Sequence, residues 1–327
     1  MRCFVTGGAG YIGSAVAAEL LTQGHEVTVY DSLVTGHRAA VPEAARFVRG
    51  DLLDGSALSA ALGEKKYDAV LHFAAFIEAG ESMLNPGKYF RNNLEASVQF
   101  IEAVQKAGIP RFVFSSSAAV YRTSEEALHE DSPLGPQNTY GHTKLMIEQV
   151  LDSYQQIHGL RYAALRYFNA AGALPNRGEA HQPESHLIPL TLRVALGQRE
   201  SVAIFGSDYP TPDGTCIRDY IHVADLVSAH LLALTQLERH DKLIYNLGSG
   251  RGYSVLEVID MTRRVTGHAI PSLETPRRPG DPARLVASPD RIQKELGWEA
   301  KHSSLEEIIT TAWGWHRKHP TGYTDTK

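Results

Sequence analysis

The sequence predicts an α/β protein, a Rossmann-type doubly wound parallel sheet with a smaller, mixed α/β C-terminal domain. Two observations favour this fold class. A glycine-rich turn joins a short apolar run to a helical pattern at the start of the chain, and strand-like and helix-like segments then alternate through the first half. Because strands separated by helices run parallel, ligand sites are expected where the strands end.

The opening turn is the strongest local signal. The first apolar run breaks into glycines that include Gly7, Gly10 and Gly13, and a helical pattern follows at once. Free N–H groups at such a helix start can bind phosphate, and glycines let the backbone approach it closely. The second strand, residues 26–30, ends in Asp31, which can accept hydrogen bonds from an adenosine ribose and would repel a 2′-phosphate. The pattern predicts a dinucleotide site that prefers NAD to NADP.

The following segments continue the alternation. Asp51 follows the third strand, where it could bond an adenine amino group or cap a helix, and spacing alone does not decide between the two. Small residues at the end of the fourth strand indicate close approach to a ligand. Three serines, residues 115–117, follow the fifth strand. Strands are predicted over 46–49, 69–75, 111–114 and 161–167, and long helices over 86–106 and 138–158.

The character of the chain changes after residue 169. Residues 172–189 are rich in Gly, Pro, His and Glu, which predicts a loop of functional length. We expect an NAD-binding domain over 1–170 and a smaller substrate domain over 171–327, with some later segments packing back on the first. Further predictions are helices over 187–196, 223–235, 255–265 and 303–317, strands over 202–205 and 245–247, a basic surface loop over 275–281 and a frayed tail from 320.

Composition excludes several classes of partner. The 327 residues include 32 basic and 37 acidic side chains, a net charge of −5, and no basic block, so neither nucleic acid nor an anionic membrane surface is expected. No apolar run approaches the ~18 residues that span a bilayer. The opening strand leaves no room for a signal peptide.

Cysteine and histidine usage points to the cytoplasm and away from metal. Cys3 and Cys216 are too few for a disulfide framework and fit a reducing compartment. The 15 histidines form no H-x-x-x-H or H-E-x-x-H pair, so ordinary surface and core histidines are expected and no metal site is predicted.

Tyr140 and Lys144 are candidate catalytic residues. They lie four residues apart on one face of a predicted helix, where an ammonium group would favour the phenolate and lower the phenol pKa. Such pairs are common by chance, but this helix follows the strand that ends in Ser117. A serine hydroxyl there could bond a substrate oxygen while the tyrosine moves its proton and a nicotinamide accepts hydride.

With these motifs the chain resembles the extended short-chain dehydrogenase/reductases and, among them, the UDP-glucose (UDP-galactose) 4-epimerases. The likeness runs from Met1 to the final helix. It includes VTGGAGYIGS at 5–14, FSSSA at 114–118, YGHTKLM at 140–146, LRYFN at 165–169, AIFGSDYPT at 203–211, RDYIHV at 218–223 and YNLG at 245–248.

The resemblance implies a role for each matching residue. Tyr140 would be base and acid, Lys144 would bond the nicotinamide ribose, and Ser117 would bond the sugar hydroxyl at C4. The residues it places around NAD are Gly7, Gly10, Tyr11, Ile12, Gly13, Asp31, Ser32, Leu33, Gly36, Asp51, Leu52, Phe73, Ala74, Ala75, Asn92, Ser115, Tyr140, Lys144 and Phe168. Those it places around the UDP-sugar are Ser117, Tyr140, Asn169, His186, Leu187, Ala203, Phe205, Arg218, Arg278, Asp281 and Leu285.

The implied reaction inverts C4 of a UDP-hexose through a transient 4-keto sugar. NAD would stay tightly bound and be regenerated in each turnover, and the enzyme is expected to be a cytoplasmic homodimer. The family carries a bulky tyrosine where this chain has Leu285, so we expect UDP-N-acetylhexosamines to be tolerated as well. Ile77, Arg122 and His186 depart from residues that are usual among relatives.

Three other functions compete with this prediction. A 4,6-dehydratase needs carboxylates beside the serine, and Ala118 and Ala119 stand there instead. A UDP-uronate or UDP-pentose 4-epimerase stays open, because sugar specificity depends on a few pocket residues. A non-catalytic NAD-binding sensor is the alternative from another class, although it has no need of Ser117, Tyr140 and Lys144 together.

Overall fold

The computed structural model describes residues 1–278 and 281–324. Pro279 and Gly280 of the predicted 275–281 loop, and residues 325–327 of the predicted tail, lie outside these ranges. The strands of the described residues are β1 (Arg2–Thr6), β2 (Glu26–Asp31), β3 (Arg46–Arg49), β4 (Ala69–His72), β5 (Arg111–Ser117), β6 (Arg161–Tyr167), β7 (Asn169–Ala171), β8 (Val202–Phe205), β9 (Ile217–His222), β10 (Lys242–Leu247), β11 (Gly252–Ser254), β12 (Ser272–Thr275) and β13 (Arg284–Leu285).

Helices cover both faces of the main sheet and build the second unit. Their bounds are α1 (Tyr11–Thr22), α2 (Gly55–Gly63), α3 (Ala79–Leu84), α4 (Pro86–Tyr89), α5 (Ala96–Lys106), α6 (Thr139–His158), α7 (Leu187–Ala195), α8 (Val223–Gln236), α9 (Val255–Thr266), α10 (Asp290–Leu296) and α11 (Leu305–Lys318). Within the described residues, no helix combines the length and apolar character needed to cross a bilayer.

The main sheet has seven parallel strands in the order β10-β6-β5-β4-β1-β2-β3. Its strands are apolar on both faces, as β1 shows. Cys3 and Val5 join the core under α1 and α8, whereas Phe4 joins the core under α2, α5 and α6. This alternation buries both faces of a parallel sheet and confirms the predicted doubly wound α/β fold.

A smaller unit is built from the later part of the chain. Strand β9 pairs with β7, β11 and β13, and β8 pairs with β12. Helices α7, α9 and α11 share an apolar core beside these strands. Segments of the second half also return to the first unit, because β10 is the outer strand of the main sheet and α8 packs on α1. The division at residue 170 therefore stays a prediction.

The predicted helix over 86–106 is interrupted by a π-helical stretch, Phe90–Glu95, between α4 and α5. The stretch places Asn93 inward, where its side chain accepts from the Phe76 amide and donates to the Phe76 carbonyl, each at 2.9 Å. These bonds hold the segment after β4 against the helix. Such π turns often occur at functional sites.

Candidate active site

The glycine turn closes tightly on the start of α1. Gly7 has a φ of +70°, and a Cβ on Gly13 would lie 2.3 Å from the Gly7 carbonyl oxygen. Gly10 is the N-cap of α1 and carries no side chain that could bond the first N–H groups. Those groups are therefore available to an anion, and the turn fits the pyrophosphate of a dinucleotide.

Tyr11 and Ile12 form the first turn of this helix. The Tyr11 phenol donates to the Gly172 carbonyl at 2.6 Å, so its ring ties the turn to the segment after β7. Ile12 packs against the core beside β1.

Asp31 ends β2 beside the glycine turn. Its carboxylate accepts from the Ala9 amide at 3.0 Å and from the Leu33 amide at 2.8 Å, and burial raises its pKa. Ser32 and Leu33 follow it, and a Cβ on Gly36 would come within 3.0 Å of the Asp31 carboxylate. The carboxylate thus joins the turn to the next loop. Its hydrogen bond to an adenosine ribose stays a prediction.

Asp51 does not cap the helix that follows it. Its carboxylate accepts from the Leu53 amide at 2.9 Å, while Asp54 caps α2 by accepting from the Ala57 amide. Of the two roles left open by spacing, helix capping therefore belongs to Asp54. The adenine contact of Asp51 stays a prediction, as does that of its buried neighbour Leu52.

The end of β4 meets the same turn. A Cβ on Gly7 would lie 2.5 Å from the Ala74 amide nitrogen, and the Phe73 amide donates to Thr6 at 2.9 Å. Phe73 to Ala75 are partly buried and follow β4 directly. Asn92 lies in the π turn, where its side-chain amide donates to the Asn93 side chain at 3.0 Å.

Ser117 and Tyr140 meet at the end of β5. Helix α6 begins just before Tyr140, because Asn138 caps it by accepting from the Gly141 amide at 2.8 Å. The Ser117 side chain lies close enough to the Tyr140 phenol to lower its pKa, and the Ser117 hydroxyl accepts from the Ala119 amide at 3.1 Å. The two side chains predicted to handle the substrate hydroxyl are therefore brought together.

Lys144 lies one turn further along α6 and is almost fully buried. Its ammonium donates to the Ser115 carbonyl at 2.6 Å and lies 5.8 Å from the centre of the Tyr140 ring. Burial lowers the Lys144 pKa to about 7, whereas the negative charge of Glu148 acts in the opposite direction. At neutral pH this lysine carries only part of a full charge.

The expected lowering of the Tyr140 pKa by Lys144 is wrong for this structure. Burial raises the Tyr140 pKa to about 12, and the nearby Ser117 side chain only partly opposes it. The sequence pattern could not show this, because it gives the spacing of the two residues but not their removal from water.

The predicted substrate residues gather on the smaller unit. Ala203 and Phe205 point to one face of β8, and the Arg278 guanidinium lies 3.8 Å from the centre of the Phe205 ring. Arg218 on β9 is paired with the Asp281 carboxylate. Leu285 on β13 lies beside Arg218 in the strand register.

The remaining predicted residues lie between the two units. Asn169 donates to the Asp219 carbonyl at 2.9 Å, and Phe168 packs in a cluster with Ala118, near Ser117. Leu187 is the first residue of α7. His186 precedes it but contacts Glu179 and Glu184, so its ring is held by carboxylates.

Several polar residues around the site were missed by sequence reasoning. Asn93 fixes Phe76, and the buried His72 bonds Thr6 at 2.6 Å and Ser97 at 2.8 Å. Their partners are far away in sequence, so no local pattern identifies them. His181 was not predicted, and its contact with the carboxylate shared by His186 was not expected because the two histidines are five residues apart in a loop.

Comparison with known proteins agrees with this geometry. Residues 3–248 match the model of the NAD dependent epimerase/dehydratase family. A UDP-glucose 4-epimerase of Streptomyces lividans is 49% identical over 99% of this chain and 98% of its own. A Brucella ovis UDP-glucose 4-epimerase structure in complex with NAD superposes with a TM-score of 0.92, at 44% identity over 95% of this chain and 97% of that one.

A third relative adds a nucleotide. The Bifidobacterium longum UDP-glucose 4-epimerase in complex with NAD+ and UDP has a TM-score of 0.94, at 35% identity over 99% of this chain and all of that one (100%). The fold, the uncapped glycine turn and the Ser117–Tyr140 pair define a dinucleotide-dependent enzyme of the short-chain dehydrogenase/reductase type. More narrowly, the chain belongs to the NAD dependent epimerase/dehydratase family.

Proposed function

We propose that this protein is an isomerase that interconverts UDP-galactose and UDP-glucose by inverting C4 of the sugar, with NAD retained through each turnover. The observation that carries the proposal is the close approach of Ser117 and Tyr140 at the end of β5, with Lys144 one turn further along the same helix. The names of the relatives, one solved with NAD and one with NAD+ and UDP, support it.

The residues around the turn fit NAD. The first N–H groups of α1 would hold the pyrophosphate, Asp31 the adenosine ribose, and Lys144 the nicotinamide ribose. NAD, when bound, supplies a hydride acceptor and donor, and the positive charge of its oxidised nicotinamide ring favours ionisation of Tyr140. This charge would offset the effect of burial on the Tyr140 pKa.

The protein's own groups handle the proton and the anchoring. Tyr140 removes the C4 hydroxyl proton while Ser117 holds that oxygen, and loss of the C4 hydride leaves a 4-ketose. The sugar then presents its other face, and Tyr140 returns the proton as C4 is reduced with inverted configuration. Arg218 and Arg278 would hold the diphosphate, because guanidinium groups suit bidentate phosphate contacts. Anchoring away from the hexose leaves the sugar free to turn.

Substitution of Tyr140 tests the catalytic role. Tyr140→Phe removes the phenol but keeps the ring, and general acid–base groups contribute about 10²- to 10⁴-fold. We therefore expect turnover of UDP-galactose to fall by about that factor, with NAD still bound. Tyr154→Phe, on the same helix, is the matched control and should retain activity.

The same assay separates the competing functions. A non-catalytic sensor would show no activity in the unmodified protein. Product from UDP-glucuronate, with none from UDP-galactose, would make the protein a uronate epimerase instead.

We propose that the sugar pocket also admits an N-acetyl group at C2. Leu285 packs in the cluster that contains Ala118 and Phe168, so it lies close to the serine that would hold C4. We expect measurable turnover of UDP-N-acetylglucosamine, which Leu285→Tyr should reduce at least about 10-fold, a change of about 1.4 kcal/mol, without loss of UDP-glucose turnover. Undetectable turnover of the acetylated sugar by the unmodified protein would count against the idea.

We further propose a cytoplasmic homodimer that pairs α5 and α6 with their copies. The support is a shallow apolar groove between these helices, lined by Leu94, Val98, Met146, Gln149, Val150 and Ser153. Sedimentation should give a dimer for the unmodified protein and a monomer for Val150→Glu. A monomer in both would overturn this assembly.

A further inference from the structure

A cluster of carboxylates and imidazoles lies in the segment between β7 and α7. We name it the Glu-His cluster, and it consists of Glu179, His181, Glu184 and His186. Each residue offers one potential metal-ligand atom, and these four atoms all lie within 4.8 Å of one another. Of its members, only His186 was predicted to contact the UDP-sugar, and none of the four takes part in the proton and hydride transfer proposed above.

The spacing of the four atoms is close to that around a bound metal ion. Glu179 Oε1 lies 3.0 Å from His181 Nδ1 and 2.9 Å from His186 Nδ1. Glu184 Oε1 lies 2.8 Å from His186 Nδ1. Around tetrahedral zinc, with bonds of about 2.0–2.2 Å, ligand atoms are separated by about 3.3–3.5 Å. The three measured contacts are a few tenths of an ångström shorter than these separations, and the remaining pairs of atoms lie within 4.8 Å.

A second observation is an oxygen atom without a partner. The Glu184 side chain is 1% exposed, and its Oε2 is buried with no hydrogen-bond partner among the described residues. Its other oxygen accepts from the Ser185 and His186 amides, each at 2.9 Å. A buried carboxylate oxygen is costly to leave unpaired, and hydrogen bonds within the cluster do not satisfy it. A bound cation would.

The charges of the cluster require a positive partner. Glu179 and Glu184 side chains are 6% and 1% exposed, so two negative charges are held away from water. Two neutral imidazoles and one divalent ion would balance them. Without an ion, the carboxylates outweigh burial and raise the pKa of both histidines, so two imidazolium groups are the alternative that the metal analysis tests. Nearby, Arg193 donates to the His181 carbonyl, and the Tyr11 ring packs edge-on against His181.

We propose that the Glu-His cluster binds one divalent transition-metal ion, with zinc the best match to two nitrogen and two oxygen ligands. Four protein ligands leave no open position, so the ion is structural. It would fix the segment before α7 at both ends. His181 packs against Tyr11 in the glycine turn, and His186 lies directly before the first residue of α7. No metal site was expected from the sequence, because that expectation considered only histidines four residues apart, and these two are five residues apart in a loop.

The test is the metal content of the untagged, unmodified protein. After dialysis, elemental analysis should find about one zinc ion per chain. Chelator treatment should remove the zinc and lower the melting temperature, and added Zn²⁺ should restore both. Replacement by Co²⁺ should give the visible absorption bands of a tetrahedral site.

Paired variants separate metal binding from other effects. Glu179→Gln with His181→Asn should weaken Zn²⁺ binding at least about 100-fold, because even outer contacts of a metal site contribute 10–100-fold. The exposed pair Glu125→Gln with His129→Asn is the control and should retain the metal. If the variant fails to fold, the chelator and Co²⁺ experiments on the unmodified protein still decide. Unmodified protein that binds neither ion after dialysis and shows no thermal shift with Zn²⁺ would overturn the proposal, leaving a network of carboxylates and protonated histidines.

Discussion

Substitution of Gly13 by alanine is the most direct perturbation of the predicted cofactor site. The added Cβ would lie 2.3 Å from the Gly7 carbonyl oxygen and 2.9 Å from its carbon. Real Cβ atoms essentially never come within 3.0 Å of such a neighbour, so the first turn of α1 must retreat by about 0.7 Å or more. The same turn carries the N–H groups that face the phosphates.

The expected loss of affinity follows from those hydrogen bonds. Each bond to a charged group contributes about 1.5–3 kcal/mol, and displacement of the turn weakens at least two of them. A loss of 3–6 kcal/mol corresponds to binding of NAD that is about 10²- to 10⁴-fold weaker. Because NAD need not leave between turnovers, the unmodified protein should still contain it after purification without added cofactor.

The assay is the amount of NAD released by denaturing the purified protein. We expect about one NAD per chain for the unmodified protein and a small fraction of that for Gly13→Ala. Gly63→Ala is the control, because a Cβ there would meet no atom within 4 Å. Far-ultraviolet circular dichroism checks that the variant is folded. A folded Gly13→Ala protein with a full complement of NAD would refute this account of the turn.

Two further predictions concern the buried polar groups beneath the site. Glu148→Ala removes the carboxylate partner of Arg166, whose side chain is only 3% exposed. Because a buried charge is then left unpaired, the free energy of unfolding should fall by about 3–5 kcal/mol in urea titrations. The exposed Glu102→Ala control should change it by less than about 0.5 kcal/mol, and equal effects would contradict the assignment. Burial lowers the His72 pKa from 6.5 to about 3. Below pH 6.5 the unfolded chain takes up a proton that the folded protein does not, so stability is full above that pH and is lost as the pH falls toward 3. At pH 5 the loss is about 2 kcal/mol. His72→Gln should remove this loss of stability at low pH, whereas the exposed control His158→Gln should keep it. An unchanged pH dependence in His72→Gln would contradict the burial argument.

The parts predicted well from the sequence depend on neighbours in the chain. The glycine turn could be predicted because its strand and helix lie within a few residues of it. Asp31 could be predicted because it ends the next strand. Ser117 and Tyr140 could be expected to meet because the helix that carries Tyr140 follows the strand that ends in Ser117. Their roles came from the resemblance to a known family rather than from periodicity.

The parts that failed depend on distant contacts. The Tyr140 pKa is set by burial beneath other elements, which the spacing from Lys144 does not reveal. Asn93 is placed inward by a π turn that amphipathic periodicity does not predict. The Glu-His cluster needs a loop to bring His181 and His186 onto shared carboxylates, so no regular spacing marks it.

The central claim is that one site removes a hydride and a proton from C4 of a UDP-hexose and returns them to the opposite face. The direct test is to supply UDP-galactose deuterated at C4 to the purified protein, without added NAD, in ordinary water. The account predicts UDP-glucose that retains deuterium at C4. Loss of the label to solvent would contradict it.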